Sequence, residues 1–423
     1  MILIIIIIFH NYHTAPSSPK LSRSMLGNVV SVVLKFTIRF YVAGLFAGQS
    51  QWLDGLAKSL GYESVYHHAV IIDAGSSGSR VLAYKFRGNL DLVDEYFEQS
   101  KPGLSSYADD PEKGADTIVQ LIKKAEFLTP PNKRKATPLI VRATAGLRLL
   151  PAEKAEKADI FASLFAHNSR LDTVKIMDGA DEGIFIWYTV NLLHNLIEGN
   201  TMAALDLGGG STQITYQLSD DEIPKHNIEN VKAFVICSSY LNLGLLAARY
   251  GVFRAESSNS NSSELSSVCV DPIIQREPWT YANNNYFKRR VGRCALPGAT
   301  RRAVAAACIA TVSPPLIRPR IHCIKKPLRA VLYTPPLVPD VMSGGTVSVE
   351  AYRTAAMAAC SSSNVDQPWA CIDLVYVVTL LHDAYKIENN KPISLFKKVN
   401  GHEVSWALGL AYTTVMNRIV ISP

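Results

Sequence analysis

The sequence predicts an α/β protein built around two strand–turn–strand units of the same plan. Ala69–Asp73 (AVIID) is an apolar, β-branched run that enters the turn AGSSGS and returns as a second strand from Arg80 to Phe86. Met202–Leu207 (MAALDL) repeats the plan, leading through GGGST into a returning strand from Gln213 to Leu218. Between them, short strands at Pro138–Ala143 and Val174–Met177 precede an apolar helix from Ile184 to Leu196, the alternation of an α/β chain.

Each unit closes its first strand with an aspartate, so that Asp73 aligns with Asp206 and Gly75 with Gly208. The Gly/Ser turns let the backbone approach a ligand closely, and successive N–H groups with serine hydroxyls make an anion-binding nest. Facing turns of this kind would grip a polyphosphate from both sides. The two aspartates would hold a hydrated divalent cation, because Mg²⁺ keeps several waters and takes only one or two carboxylates. A Walker loop and a Rossmann fingerprint are both absent, and neither turn opens a helix.

Thr144 follows the strand Pro138–Ala143, where its hydroxyl can reach a phosphate or a metal-bound water. Asp181 and Glu182 fall in the first turn of the apolar helix. Negative charge there is favourable by ~0.3–1 kcal/mol whatever the function. A carboxylate at such a strand-to-helix junction can also point into a cleft between lobes.

A chain of 423 residues, 48% apolar and 19% charged, is neither disordered nor a coiled coil, and its length fits two to three domains. The net charge of +7 is local: eleven Lys/Arg and no acid lie between Pro278 and Pro339, and four more precede Asp54. The rest of the chain is acidic, which argues against nucleic acid as a partner.

Residues 2–9 form an apolar run the length of a signal-peptide core, without a basic flank before it. Met25–Ala47 is long enough to span a bilayer but carries Lys35 and Arg39. Residues 1–65 are expected to be a signal or anchor and stem, attached to a membrane if uncleaved. All seven cysteines lie from Cys237 onward, none in a C-x-x-C pair, which suits disulfides in an oxidising compartment. Cys360 and Cys371 are candidates for a local bridge, and Asn261-Ser262-Ser263 is a glycosylation sequon in a Ser/Asn-rich stretch. His67 and His68 are expected at the surface, and Trp187 and Trp406 in the core.

The segments DAGSSGSR (73–80), RATAGLRLLP (142–151), GADEGIFIWYTVN (179–191), ALDLGGGSTQITY (204–216) and SWALG (405–409) resemble, in order and spacing, five regions of the apyrase family of nucleoside tri- and diphosphate diphosphohydrolases. The resemblance covers about His68–Arg249 and Gly344–Tyr412, and looks closer to the Golgi and ER nucleoside diphosphatases than to members with two anchors. It implies a two-lobed, actin-like (RNase H-like) fold with the active site in the interlobe cleft. Lobe I would be 66–175, joined by 401–423, and lobe II 176–400. It implies Glu182 as the general base and Asp73 and Asp206 as acids organising Ca²⁺ or Mg²⁺ through water. Ser76, Ser77 and Gly78 would be the first phosphate loop, and Gly208, Gly209, Gly210 and Ser211 the second. Thr144 and Gln213 would contact the cation–water cluster or the nucleophile.

The family carries an aromatic-rich, base-stacking segment in lobe II. Here 278–339 holds nine of the 22 prolines, and Tyr333 is an isolated candidate. So many prolines argue against long helices and central strands, and the segment, with no recognisable aromatic cluster, reads first as a gene-model error and otherwise as an insertion that binds something acidic or a solvated loop. The expected activity is cation-dependent hydrolysis of the terminal phosphate of a nucleoside diphosphate in the Golgi or ER lumen. The alternatives are an exopolyphosphatase or sugar-kinase-like enzyme of the same fold, or an inactive nucleotide-binding member.

Overall fold

The computed structural model describes residues 66–75, 78–107, 109–148, 174–197, 199–218, 235–256, 262–267, 270–271, 273–282, 284–290, 328–331, 344–361 and 364–421. The leader 1–65, Ser76, Ser77, the sequon at Asn261 and Tyr333 lie outside these residues. The chain divides into two compact units, residues 1–66 with 86–91 and residues 67–85 with 92–423. The described part of the first includes a turn in which Arg87 N–H donates to Asp91 O at 2.9 Å. The site described below lies wholly in the second.

The first sheet begins with β1 (Tyr66–Ala74), β2 (Ser79–Arg87) and β3 (Leu92–Ser100). Helix α1 (Pro111–Ala125), β4 (Leu139–Ala143), the short α2 (Ala145–Arg148) and β5 (Val174–Ile176) follow. The strand order is β3-β2-β1-β4-β5, with β4 parallel to both β1 and β5. Turns of a few residues join β1 to β2 and β2 to β3, so these neighbours are hairpins, since parallel pairing needs a long crossover. Alternate residues Val70 and Ile72 of β1 and Val81 and Ala83 of β2 pack on Ile118, Leu121 and Ala125 of α1. Asp110 starts that helix by accepting the Lys113 N–H at 3.3 Å, with Pro111 at the first helical position. His68 is buried at 7% exposure, correcting its surface assignment; it falls on the strand face shared by Val70 and Ile72.

Helix α3 (Gly179–Leu193) takes Asp181 and Glu182 into its first turn as expected, ahead of the apolar run from Ile184, because the Asp178 carboxylate caps it, accepting the Ala180 N–H at 2.7 Å. The second hairpin is β6 (Ala203–Leu207) and β7 (Ser211–Gln217), in the register Asp206↔Gln213. Strand β8 (Val235–Leu241) pairs antiparallel with β7 and leads into α4 (Leu245–Glu256).

Next come β9 (Glu264–Ser267), β10 (Glu277–Tyr281), β11 (Asn284–Arg290), β12 (Leu328–Val331), β13 (Gly345–Val347) and α5 (Val349–Ser361). Helix α6 (Ala370–Val378) then runs into a π-helical turn, followed by β14 (Ile393–Leu395), β15 (Lys398–Val399), β16 (His402–Glu403) and α7 (Trp406–Ile421). The second sheet has the order β13-β14-β12-β6-β7-β8. Leu205, Ile214, Val375, Val377, Leu381 and Ile393 belong to its core and are all almost fully buried.

Two expectations for the proline-rich segment are corrected. Leu328–Val331 is an internal strand, parallel to β6 (Val331↔Asp206) and to β14. Pro327 precedes this strand and none lies within it, so every residue can donate to the ladder. Trp279, Tyr281 and Tyr286 do form an aromatic cluster on the β10-β11-β9 sheet, packed on Tyr250 and Phe253 of α4 and on Trp369. The buried Lys288 ammonium lies 4.0 Å from the Trp369 ring and 5.1 Å from the Trp279 ring, and burial pushes its pKa down to about 8. Cys360 and Cys371 are disulfide-bonded as expected, and Cys237 is a free cysteine. Trp187 and Trp406 are core residues, each 5% exposed. Among the described residues no helix is long and apolar enough to cross a membrane.

Candidate active site

Both aspartates stand one residue from the end of their strands, Asp73 in β1 and Asp206 in β6, each running into a glycine turn. In the first turn Gly75 N–H donates to Gly78 O at 3.1 Å. A Cβ on Gly78 would displace the Gln99 amide and press on Ser100 O. The second turn is held from behind by the start of α4. Leu245 N–H donates to Gly208 O, and Leu246 N–H to Gly209 O, both at 2.9 Å; Asn242 N–H donates to Gly210 O at 2.9 Å. In trans peptides the N–H opposes the C=O, so the amides of Gly209, Gly210 and Ser211 point away from that backing. Gly244 lies directly behind the turn, where a Cβ would collide with Ser211 N, Gly209 C and Gly210 N.

Glu182 reaches the second hairpin because α3 approaches it on glycines. A Cβ on Gly179 would meet Ser239, and one on Gly183 would meet Cys237, Thr215 and Gln213. Four residues apart, these glycines form one helix face laid on β7 and β8. The Glu182 carboxylate is 7% exposed; its Oε2 accepts Arg148 Nη2 at 2.7 Å and Gln213 Nε2 at 3.2 Å. Arg148 is itself fixed by Met177 O at 2.6 Å and Ser211 Oγ at 3.1 Å. Gln213 Nε2 also approaches Ser211 Oγ at 2.9 Å and Ser239 Oγ at 3.1 Å. Asp73 Oδ2 accepts Arg80 Nη1 at 2.7 Å.

Burial dominates the electrostatics. It raises the Glu182 pKa against the opposing pull of Arg148, and the Asp73 pKa against that of Arg80. Asp206 is pushed up to about 7 by burial and by the negative charges of Glu182 and Asp73.

A cavity of about 390 Å³ collects these groups. Asp73, Thr144, Glu182, Asp206 and the turn Gly208–Ser211 all line it, and Gln213 supports it through Glu182. Gly78 closes the first turn and is not part of the wall; Ser76 and Ser77 lie outside the described residues. Phe97 and Gln99 of β3, and Lys397, Glu403 and Trp406 near the C-terminus, complete much of the wall.

The carboxylate set fits a hydrated cation. Asp73 Oδ1 and Gln213 Oε1 are buried with no hydrogen-bond partner, and three carboxylates converge on the paired cations Arg80 and Arg148. Among the described residues no group of three His, Cys, Asp or Glu side chains stands close enough to hold a metal ion directly.

Arg80, Arg148, Ser239 and Gly244 were not singled out from the sequence. Both arginines stand within the quoted motifs, where a cation beside an anion-binding turn was the available signal. Ser239 and Gly244 carry no local signal; the register Gln213↔Ser239 brings the former in.

The profile of the GDA1/CD39 (nucleoside phosphatase) family matches residues 61–293 and 351–420, extending the resemblance through the aromatic hairpin. The nucleoside-diphosphatase uda-1 of Caenorhabditis elegans is 31% identical over 400 residues, covering 82% of this chain and 81% of that protein. The nucleoside diphosphate phosphatase ENTPD5 of Homo sapiens is 31% identical over 405 residues, covering 86% and 92% respectively. The crystal structure of a nucleoside triphosphate hydrolase from Neospora caninum superposes with a TM-score of 0.54 at 14% identity, over 90% of this chain and 97% of that one, and shares the fold.

Proposed function

Because the chain belongs to the GDA1/CD39 (nucleoside phosphatase) family, we propose that it hydrolyses the terminal phosphate of nucleoside diphosphates of the UDP/GDP class, with triphosphates as secondary substrates. The observation that carries this reading is the buried Glu182 carboxylate, held by Arg148 and Gln213 on a cavity wall that both aspartate-ended hairpins share. The similarity to uda-1 and ENTPD5, whose names state nucleoside diphosphatase activity, supports the substrate class.

The amides of the second turn bind the phosphate oxygens, with Ser76, Ser77 and Gly78 as the opposing loop. Glu182 is the general base: Oε2 carries its two hydrogen bonds, leaving Oε1 to take the proton of the attacking water. A raised pKa suits this role, since a base is most effective when its pKa approaches the working pH. The Thr144 hydroxyl on the cavity wall orients that water, and Gln213 holds the Glu182 carboxylate that receives its proton. Asp73 and Asp206 would hold Ca²⁺ or Mg²⁺ through water, where such a cation would supply neutralisation of the phosphate charge. Positioning and electrostatics supply most of the rate, as in phosphoryl transfer generally.

The molecule would divide into a lobe of residues 66–175 with 401–423 and a lobe of 176–400, one around the five-stranded and the other around the six-stranded sheet. It places the enzyme in the Golgi or ER lumen, anchored through residues 1–65 if these are retained; the Cys360–Cys371 bridge suits such a compartment. Phosphate release from UDP, GDP and polyphosphate, with Mg²⁺, Ca²⁺ or EDTA, tests the reading. Cation-dependent release from the nucleotides supports it, and release from polyphosphate alone contradicts it.

A further inference from the structure

We propose that Ser239 is a positioning residue for Glu182, competing with that carboxylate for the Gln213 amide group, an inference that rests on the phosphatase reading above. Gln213 Nε2 carries two N–H groups, yet three oxygens stand within its reach: Ser211 Oγ at 2.9 Å, Ser239 Oγ at 3.1 Å and Glu182 Oε2 at 3.2 Å. Two of them at most are well served at once. Ser211 Oγ makes the shortest contact and also accepts Arg148 Nη2 at 3.1 Å, which its two lone pairs allow. Ser239 and Glu182 are left to share the second proton, and the longest of the three distances is the one to the carboxylate.

The fold sets this competition. Ser239 stands directly opposite Gln213 in the β7–β8 ladder, and the pair Thr215↔Cys237 faces the same way. Helix α3 covers both pairs through its glycines. A Cβ on Gly179 would fall on the Ser239 hydroxyl, and one on Gly183 on Cys237, Thr215 and Gln213. Ser239 lies behind the cavity wall and not on it, so it acts through Gln213. The charged groups around Glu182 are Arg148 of α2, Asp73 of β1, Asp206 of β6, and Asp178 and Asp181 at the start of α3. On the face that α3 covers, β7 and β8 add the Cys237 thiol, whose pKa burial raises to about 11. Helix α7, packed on α3 at Gly409, carries one charge, Arg418 in its last turn, which donates to Ala136 O. Removing the Ser239 hydroxyl leaves all of these in place. A hydrogen bond donated to a carboxylate favours its ionised form. Without the Ser239 oxygen each N–H of Gln213 has one acceptor, the bond to Glu182 Oε2 strengthens, and the carboxylate holds a proton less tightly. Ser239 thus keeps Glu182 a stronger base, as suits a group that takes the proton of water.

The test is the pH profile of kcat/KM for phosphate release from UDP by the full chain in Mg²⁺. Wild type, Ser239→Ala, Gln213→Ala and the double variant are compared, so that the coupling between the two residues is read directly. Ser239→Ala moves the acid limb to lower pH by about 0.4–1 unit. In the Gln213→Ala background, where no amide remains to be shared, the same substitution moves nothing. If Ser239→Ala does not fold, Ser239→Gly replaces it and shows the same shift. An unmoved limb, a shift to higher pH, a loss uniform across pH, or an equal shift in both backgrounds overturns the proposal. Failure of the phosphatase reading is seen separately, as absence of phosphate release from UDP by the wild type.

Discussion

Arg148 Nη2 lies 2.7 Å from Glu182 Oε2, so the buried carboxylate proposed to activate water shares its site with a guanidinium that favours its ionised form. Removing one partner of a buried pair leaves the other uncompensated. In Arg148→Ala the Glu182 pKa rises further, and the base is protonated over a wider acidic range. The acid limb of the kcat/KM profile moves to higher pH, and activity at pH 7 falls about 10- to 100-fold. A profile measured from pH 5 to 9 checks this; an unmoved acid limb contradicts it.

Asp206 titrates at about 7 in the fold against an unfolded value of 3.8. Between those values the folded state binds more protons than the unfolded state, so this group's contribution to stability falls as pH rises from about 4 to about 7. In EDTA, thermal melts are expected to show a lower Tm at pH 8 than at pH 5, and Asp206→Asn to reduce the difference. Adding Mg²⁺ or Ca²⁺ should raise the wild-type Tm more at pH 8, where the carboxylate is charged, than at pH 5. Equal cation effects at both pH values contradict the assignment.

Gly409 lets α7 touch α3: a Cβ there would run into the backbone carbonyl of Phe185. Backbone cannot yield as a flexible side chain can, so Gly409→Ala forces the helices apart. The expected cost is about 1–3 kcal/mol, read from urea unfolding. Because α3 carries Glu182, activity should fall as well.

Cys360 and Cys371 bridge positions 11 apart in sequence. Loop-closure entropy gives such a bridge about 2–3 kcal/mol. Cys360→Ser is expected to lower the Tm by several degrees under oxidising conditions, and a reductant should lower the wild type similarly.

The two hairpins were legible because their signal is local: an apolar strand, an aspartate and a glycine turn within a dozen residues. Glu182 was legible for a related reason, standing just inside a helix whose cap is Asp178. The groups that hold Glu182 were harder to see. Arg148 is 34 positions away in sequence, and Ser239 meets Gln213 only through the β7–β8 register. The aromatic sheet was missed for another reason. The prolines and cations of 278–339 dominated the composition, while Trp279 and Tyr281 find Tyr250 and Phe253 through pairing that composition does not carry.

Phosphate release from UDP by purified Glu182→Gln, beside the wild type, tests the central claim most directly. The amide keeps the size of the side chain but cannot accept the proton. Turnover is expected to fall about 10²- to 10⁴-fold, with binding of uridine 5′-methylenediphosphonate retained. A variant that releases phosphate at the wild-type rate would contradict Glu182 as the base.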